Sequence, residues 1–212
     1  MGVDSVSKYV HLKQLKRLVN SMRENKSVLF VGVGGQGTIL ASKILTEGLL
    51  KSGYDVKMSE VHGMAQRGGS VTTQVRFGDK VYSPLIEKGK VDVIVSFEKS
   101  EAARYLPYLK KQGHVVINDY EIHPVPVLTG KEKYPENVNE RLTDLVENIV
   151  IMNAAQIAEG LGNIKAQNVV LLGALIKVLN LEDINWEEVI SEIVPSKAIE
   201  LNKKAFKAGM DV

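Results

Sequence analysis

Hydrophobic and polar positions along this chain follow two periods, and the changes between them mark its elements. Residues 28–31 form an unbroken apolar run after polar Lys26-Ser27, as a strand buried on both faces would. From 38 to 52 the apolar residues Ile39, Leu40, Ala41, Ile44, Leu45 and Leu49 leave only the narrow polar stripe Lys43, Glu47 and Lys51. That is helical spacing, with alternating charges supporting one another, and Gly53 is expected to end the helix. Residues 55–60 predict a second strand and so a βαβ-like opening. Residues 70–77 alternate with period two, and Gly78-Asp79 predicts a turn into a return strand over 80–83, which makes the sheet mixed.

Parallel-sheet signals then resume. A buried-type strand is expected over 91–96, then a helix ending near Lys110, a turn at Gly113 and a strand over 115–118. The stretch 122–135 is irregular, with Pro124, Pro126, Gly130 and Pro135, and 125–128 reads as an edge strand, where proline is tolerated. A helix over 138–146 and a strand over 148–152 follow. The last third is helical: 154–161 capped by Asn153, 169–179, 186–194 and 196–207, with Gly209 as a C-terminal stop. The segment 169–179 is apolar around most of its circumference, with small Gly173 and Ala174 at its middle, which predicts burial by its own domain or by a partner chain. The whole reads as α/β, three layers α/β/α around a mixed, mostly parallel, Rossmann-like sheet. Residues 8–24 predict an amphipathic helix preceding the first strand, so 1–26 is a helical extension and 27–212 a single α/β domain. A basic face of this kind also suits a membrane surface, but docking on its own domain or on a partner is the expected role, and no membrane partner is expected.

Composition narrows the chemistry. The 212 residues carry a net charge of only +2, which implies no nucleic-acid partner, and they include no cysteine. Disulfides, a thiol nucleophile and thiolate-held iron–sulfur clusters are therefore excluded from this chain. The four histidines are scattered and none forms H-x-x-x-H, so no metal site is expected. No apolar run has the length of a membrane span and no apolar signal core opens the chain, which reads as cytoplasmic.

Two glycine-rich loops remain as candidate chemistry. Gly32, Gly34 and Gly37 satisfy G-x-G-x-x-G between a predicted strand and a predicted helix; with Gly35 and Gln36 they form a loop whose free N–H groups suit a phosphate. The same spacing also serves a close strand-to-helix crossing that binds nothing. Glu60, near the end of the second strand, is the acidic residue placed to hold a ribose in a dinucleotide fold. The second loop carries Gln66, Arg67, Gly68, Gly69 and Ser70. Arg67 between small residues is either a solvated loop arginine or a ligand-facing fork for a carboxylate or phosphate.

Four stretches together resemble one family: Gly32-Val-Gly-Gly-Gln-Gly37; Ser59-Glu-Val-His-Gly-Met-Ala-Gln-Arg-Gly-Gly-Ser70; the strand 92–97 followed by Glu98; and Asn202-Lys-Lys-Ala-Phe-Lys-Ala-Gly209. They resemble the γ-type subunits or domains of 2-oxoacid:ferredoxin oxidoreductases, and within these the small (beta) subunits of indolepyruvate ferredoxin oxidoreductases, over residues 27–209. The resemblance implies a subunit of an enzyme that oxidatively decarboxylates a 2-oxoacid with coenzyme A and passes electrons to ferredoxin. Thiamine diphosphate, [4Fe–4S] clusters and coenzyme A belong to the holoenzyme, with none of them held by this chain alone and a large catalytic subunit as its partner. Arg67 is then the candidate residue at that subunit interface. The N-terminal extension lies outside the matched pattern. Two other readings stand beside this one: a free-standing nucleotide-binding dehydrogenase, and an assembly module whose glycine loop binds nothing.

Overall fold

The computed structural model describes residues 23–63 and 68–212. The expected helix over 8–24 lies outside them except for Arg23 and Glu24, which are not helical. Six strands form one sheet in the order β2-β3-β1-β4-β5-β6. They are β1 (Lys26–Val33), β2 (Asp55–His62), β3 (Ser70–Gly78), β4 (Val91–Ser96), β5 (Leu109–Asn118) and β6 (Asn148–Met152). β1, β4, β5 and β6 run parallel, and β3 is antiparallel to both β1 and β2. The expected mixed, mostly parallel sheet is present.

Strand periodicity divides the core. Val28 and Phe30 of β1 face one side while Leu29 and Val31 face the other, and all four are buried. The first side is covered by α1 (Thr38–Lys51) and by the C-terminal helices α5 (Ala154–Gly160), α6 (Gln167–Leu179), α7 (Trp186–Ile193) and α8 (Ile199–Met210). The second side carries α2 (Lys99–Tyr105) and α4 (Val138–Leu145), between which lies the short α3 (Val125–Leu128) in sequence. The result is the α/β/α layering expected from the sequence.

Five expectations are corrected. No return strand forms over 80–83. β3 already has a partner on each edge, and the backbone at Lys80 and Val81 is engaged by the Asn25 and Asp55 side chains at 2.9 Å each. The hairpin is β2–β3, so β2 pairs with β3 and not with β1, and the βαβ-like opening skips one strand position. Residues 125–128 form a helical turn rather than an edge strand, because Pro124 and Pro126 sit at its start, where no N–H is needed. The helix after β4 stops at Tyr105 and, after a 3-10 turn containing Pro107, β5 begins at Leu109; Gly113 lies within that strand, at a register irregularity. Gly209 does not end its helix but lies inside α8, where a Cβ would come within 1.9 Å of the Val170 carbonyl oxygen. Gly173 in α6 is its counterpart, with a Cβ meeting the Phe206 carbonyl oxygen at 2.2 Å. Helices α6 and α8 cross backbone to backbone, and this burial accounts for the apolar circumference of α6.

Candidate ligand site at the two glycine loops

β1 delivers its chain into the turn Gly34-Gly35-Gln36, and α1 starts at Thr38 with Gly37 as its N-cap. Gly37 has φ 85°, a left-handed conformation natural to glycine, and a Cβ there would lie 2.5 Å from Nδ2 of Asn168. No side chain caps α1, so the N–H groups of Thr38 and Ile39 are left without an intrahelical acceptor and present the positive end of the helix dipole. Gln36 points inward. Its Oε1 accepts from Val33 N and its Nε2 donates to the Phe97 carbonyl, both at 2.8 Å, so its side chain holds the turn together and both its polar ends are engaged. Gly32 is tight for the same reason, since a Cβ would meet Gln36 and Phe97 at 2.9 Å.

The second loop is joined to the first. Gly34 N donates to Gly69 O at 2.9 Å and Gly68 N to Gly34 O at 3.4 Å, extending the β1–β3 ladder beyond its last strand pair, Val33 with Ser70. Gln66 and Arg67 lie outside the described residues. Ser70 is turned away from the loops; its hydroxyl donates to the Glu101 carboxylate and lies 3.4 Å from the Tyr105 hydroxyl.

Because β1 and β2 point the same way, their carboxyl ends open on one sheet edge with β3 between them. There lies a cleft of about 330 Å³. Gly34, Gly35, Gly37, Thr38 and Ile39 line it from the first loop, Glu60, Val61 and His62 from the end of β2, and Val71, Thr72 and Thr73 from β3. Glu60 is exposed and separated from β1 by a whole strand, so it faces the glycine loop across the cleft instead of from the adjacent strand. Among the described residues lining the cleft there is no lysine or arginine, and main-chain N–H groups are its anion-binding feature. Among the described residues no group of acidic, histidine or cysteine side chains is arranged to hold a metal ion, and the chain has no thiolate to offer a cluster.

A second cluster borders this edge, and the sequence assigned it no role. Glu98 is fully buried as the N-cap of α2. Its carboxylate accepts from Glu101 N at 3.0 Å, Ser100 Oγ at 2.6 Å, Ile122 N at 3.4 Å and the Tyr134 hydroxyl. Burial, and then the bond to Glu98, push the Tyr134 phenol well above its ordinary range. Glu101, also buried, receives Ser70 and Arg104 Nε at 2.9 Å. The signal in the sequence was an acceptor side chain, Glu98, at a strand-to-helix junction, where an N-cap is needed. Nearby, Lys99 bridges Asp119 at 3.0 Å and Glu121 at 2.8 Å.

The family model for pyruvate ferredoxin/flavodoxin oxidoreductase matches residues 27–212 of this chain. The chain belongs to that family. It is 44% identical over 193 residues to the indolepyruvate oxidoreductase subunit IorB of Pyrococcus horikoshii, covering 87% of this chain and 94% of the relative. Like its relatives in the pyruvate ferredoxin/flavodoxin oxidoreductase family, it is an oxidoreductase subunit. The fold is shared with the keto/oxoacid ferredoxin oxidoreductase γ subunit of Geobacter sulfurreducens, with TM-score 0.65, 24% identity and coverage of 88% of this chain and 96% of that one. It also recurs in the 2-oxoglutarate:ferredoxin oxidoreductase of Magnetococcus marinus, with TM-score 0.67 and 18% identity over 89% of this chain but 31% of the longer one. Among the described residues no helix is long and apolar enough to cross a membrane.

Proposed function

We propose that this chain is the small subunit of an indolepyruvate-type 2-oxoacid:ferredoxin oxidoreductase. A large subunit holds thiamine diphosphate and the [4Fe–4S] clusters. The reaction takes a 2-oxoacid, coenzyme A and two oxidised ferredoxins to an acyl-CoA, carbon dioxide, a proton and two reduced ferredoxins. The observation that carries this reading is the 44% identity to an indolepyruvate oxidoreductase subunit over nearly the full length of both chains. The absence of cysteine accords with clusters held elsewhere.

Within that enzyme the glycine loops supply binding. The N–H groups at the start of α1 suit the diphosphate of coenzyme A, a ligand named for the Magnetococcus marinus enzyme, and the cleft beside them has room for part of a nucleotide. Arg67, in the loop joined to this one, is proposed to reach toward the large subunit and hold the oxoacid or coenzyme A. The test is to produce the chain with the large subunit of its host and follow viologen reduction with indolepyruvate, phenylpyruvate and pyruvate. A stable complex that prefers the aryl substrates and requires coenzyme A is the expected result. A chain that purifies alone, binds NAD tightly in calorimetry and ignores coenzyme A would make it a free-standing dehydrogenase.

A further inference from the structure

We propose that Gln36, Asn118 and Asn168 are positioning residues: a network of buried carboxamides that holds the first glycine loop in its binding shape before any ligand arrives. This rests on the reading of that loop as a ligand-holding element. The three residues are 8%, 0% and 3% exposed. The Phe97 carbonyl oxygen is the hub, accepting from Gln36 Nε2 at 2.8 Å and from Asn118 Nδ2 at 3.3 Å. Asn118 Nδ2 also donates to Oε1 of Gln167 at 3.0 Å, and its Oδ1 accepts from Ala154 N, the first residue of α5, at 2.9 Å. On the other side of the loop, Asn168 Nδ2 donates to the Gly37 carbonyl at 3.2 Å.

The orientations of Gln36 and Asn118 are not interchangeable. Val33 and Ala154 offer N–H groups, which only amide oxygens can meet, and the Phe97 carbonyl accepts only amide nitrogens. Carboxylates of the same shape would set oxygen against the Phe97 carbonyl, and hydrocarbons would make neither bond.

The network begins where the ladders stop. The β1–β4 pairing ends at Val31 with Ser96, apart from a bond from Phe97 N to Val31 O at 2.9 Å. Main-chain bonds tie Gly34 to the second loop and Gln36 N to Val33 O, but none of these fixes the loop to α5 or α6. Side-chain amides make those links, and they join the loop to the ends of β4 and β5 and to the starts of α5 and α6. Asn168 supplies a further argument. Its Oδ1 is buried with no partner among the described residues, a cost that a hydrocarbon side chain would avoid. Its presence is accounted for by the bond that its other end makes to Gly37, whose carbonyl also accepts from Leu40 N and Ala41 N at 3.1 and 3.3 Å to start α1. Preorganised N–H groups of this kind bind without a further ordering cost.

The test compares the parent with Gln36→Met and Asn168→Leu, which keep side-chain size and remove the bonds. Amide hydrogen exchange is read on the full chain, and KM and kcat for coenzyme A on the complex with the large subunit. Exchange at Gly34, Gln36, Leu40 and Ala41, the bonded amides around the loop, is expected to quicken at least about tenfold while the core amides of β1 and β4 stay protected. KM for coenzyme A should rise at least about fivefold with kcat held within about twofold. Unchanged exchange at these four amides in both variants overturns the proposal whatever the kinetics. Faster exchange with every KM unchanged supports the brace and instead removes coenzyme A from the loop. Should Gln36→Met lose the protection of β1 and β4, it has unfolded, and Asn168→Leu, which alters only the contact at Gly37, decides.

Discussion

Glu98 shows how a single side chain organises an edge of this molecule. A fully buried carboxylate is tolerated because it accepts four hydrogen bonds, and these tie α2 to Ile122 and Tyr134 in the irregular segment after β5. Tyr134→Phe removes one donor and leaves the charge less satisfied; urea unfolding should show a loss of about 1–3 kcal/mol. Lys99 makes a second such tie, by charge. Its bond to Glu121 chiefly holds that carboxyl below its usual range, and at Asp119 burial acts upward but Lys99 and Asn139 together prevail and lower it. Depressed carboxyls stabilise the fold above their unfolded values of 4.5 and 3.8, and that contribution disappears as pH falls through their lowered folded values. Thermal melts should therefore show Lys99→Met less stable than the parent near pH 7, by less than about 1 kcal/mol given the exposure of its partners, with the gap closing toward about pH 3. For Arg67, proposed above as a ligand-facing residue, the prediction concerns function instead of stability. Arg67→Ala should assemble normally yet lower the turnover of the complex at least about tenfold, roughly 1.4 kcal/mol, with Arg67→Lys recovering only part, because an ammonium cannot make a bidentate contact. The sequence singled out both glycine loops but placed Gln36 among ligand-binding residues. Its inward turn depends on the Phe97 carbonyl, 61 positions away, and no local pattern encodes such a partner.

Among the elements, the glycine crossing of α6 and α8 is the least tolerant of change. Ideal Cβ atoms at Gly173 and Gly209 fall 2.2 and 1.9 Å from facing carbonyl oxygens, so the helices must part to admit even a methyl group. Gly173→Ala and Gly209→Ala should each cost about 1–3 kcal/mol in chemical denaturation, and the double variant less than the sum, because the first methyl group already separates the pair. Strands and helices with strong periodicity were legible in the sequence: β1, β6, α1 and α6 fall where their apolar patterns put them, and Asn153 caps α5 by accepting from Gln156 N at 2.8 Å. Expectations failed where tertiary partners decide. Residues 80–83 have a strand-like pattern, but both edges of β3 were taken, and Gly209 looked like a stop because the glycine it packs against lies 36 positions earlier.

At the scale of the molecule, the family followed from motifs and the α/β/α layering from periodicity. The mixed sheet was expected from a hairpin of 70–77 with 80–83 but arises from β2–β3 instead, and the strand order was not legible, since pairing partners leave no periodic trace. A chain with no thiolate has no electron path of its own through iron–sulfur clusters. Produced alone, it should reduce neither viologen nor ferredoxin with any 2-oxoacid, and adding the large subunit should restore turnover. The placement of β3 has a consequence for synthesis. When residues 26–62 have emerged, β1 and β2 point the same way but belong one lane apart, with nothing yet made to fill it. Neither strand has a native partner at that stage, and the first pairing available is the β2–β3 hairpin, whose return strand then docks on β1 across an intervening helix. The facing edges of β1 and β2 therefore stay unpaired in the nascent chain until residue 78 is available, and the cleft comes into being in the same event that closes them.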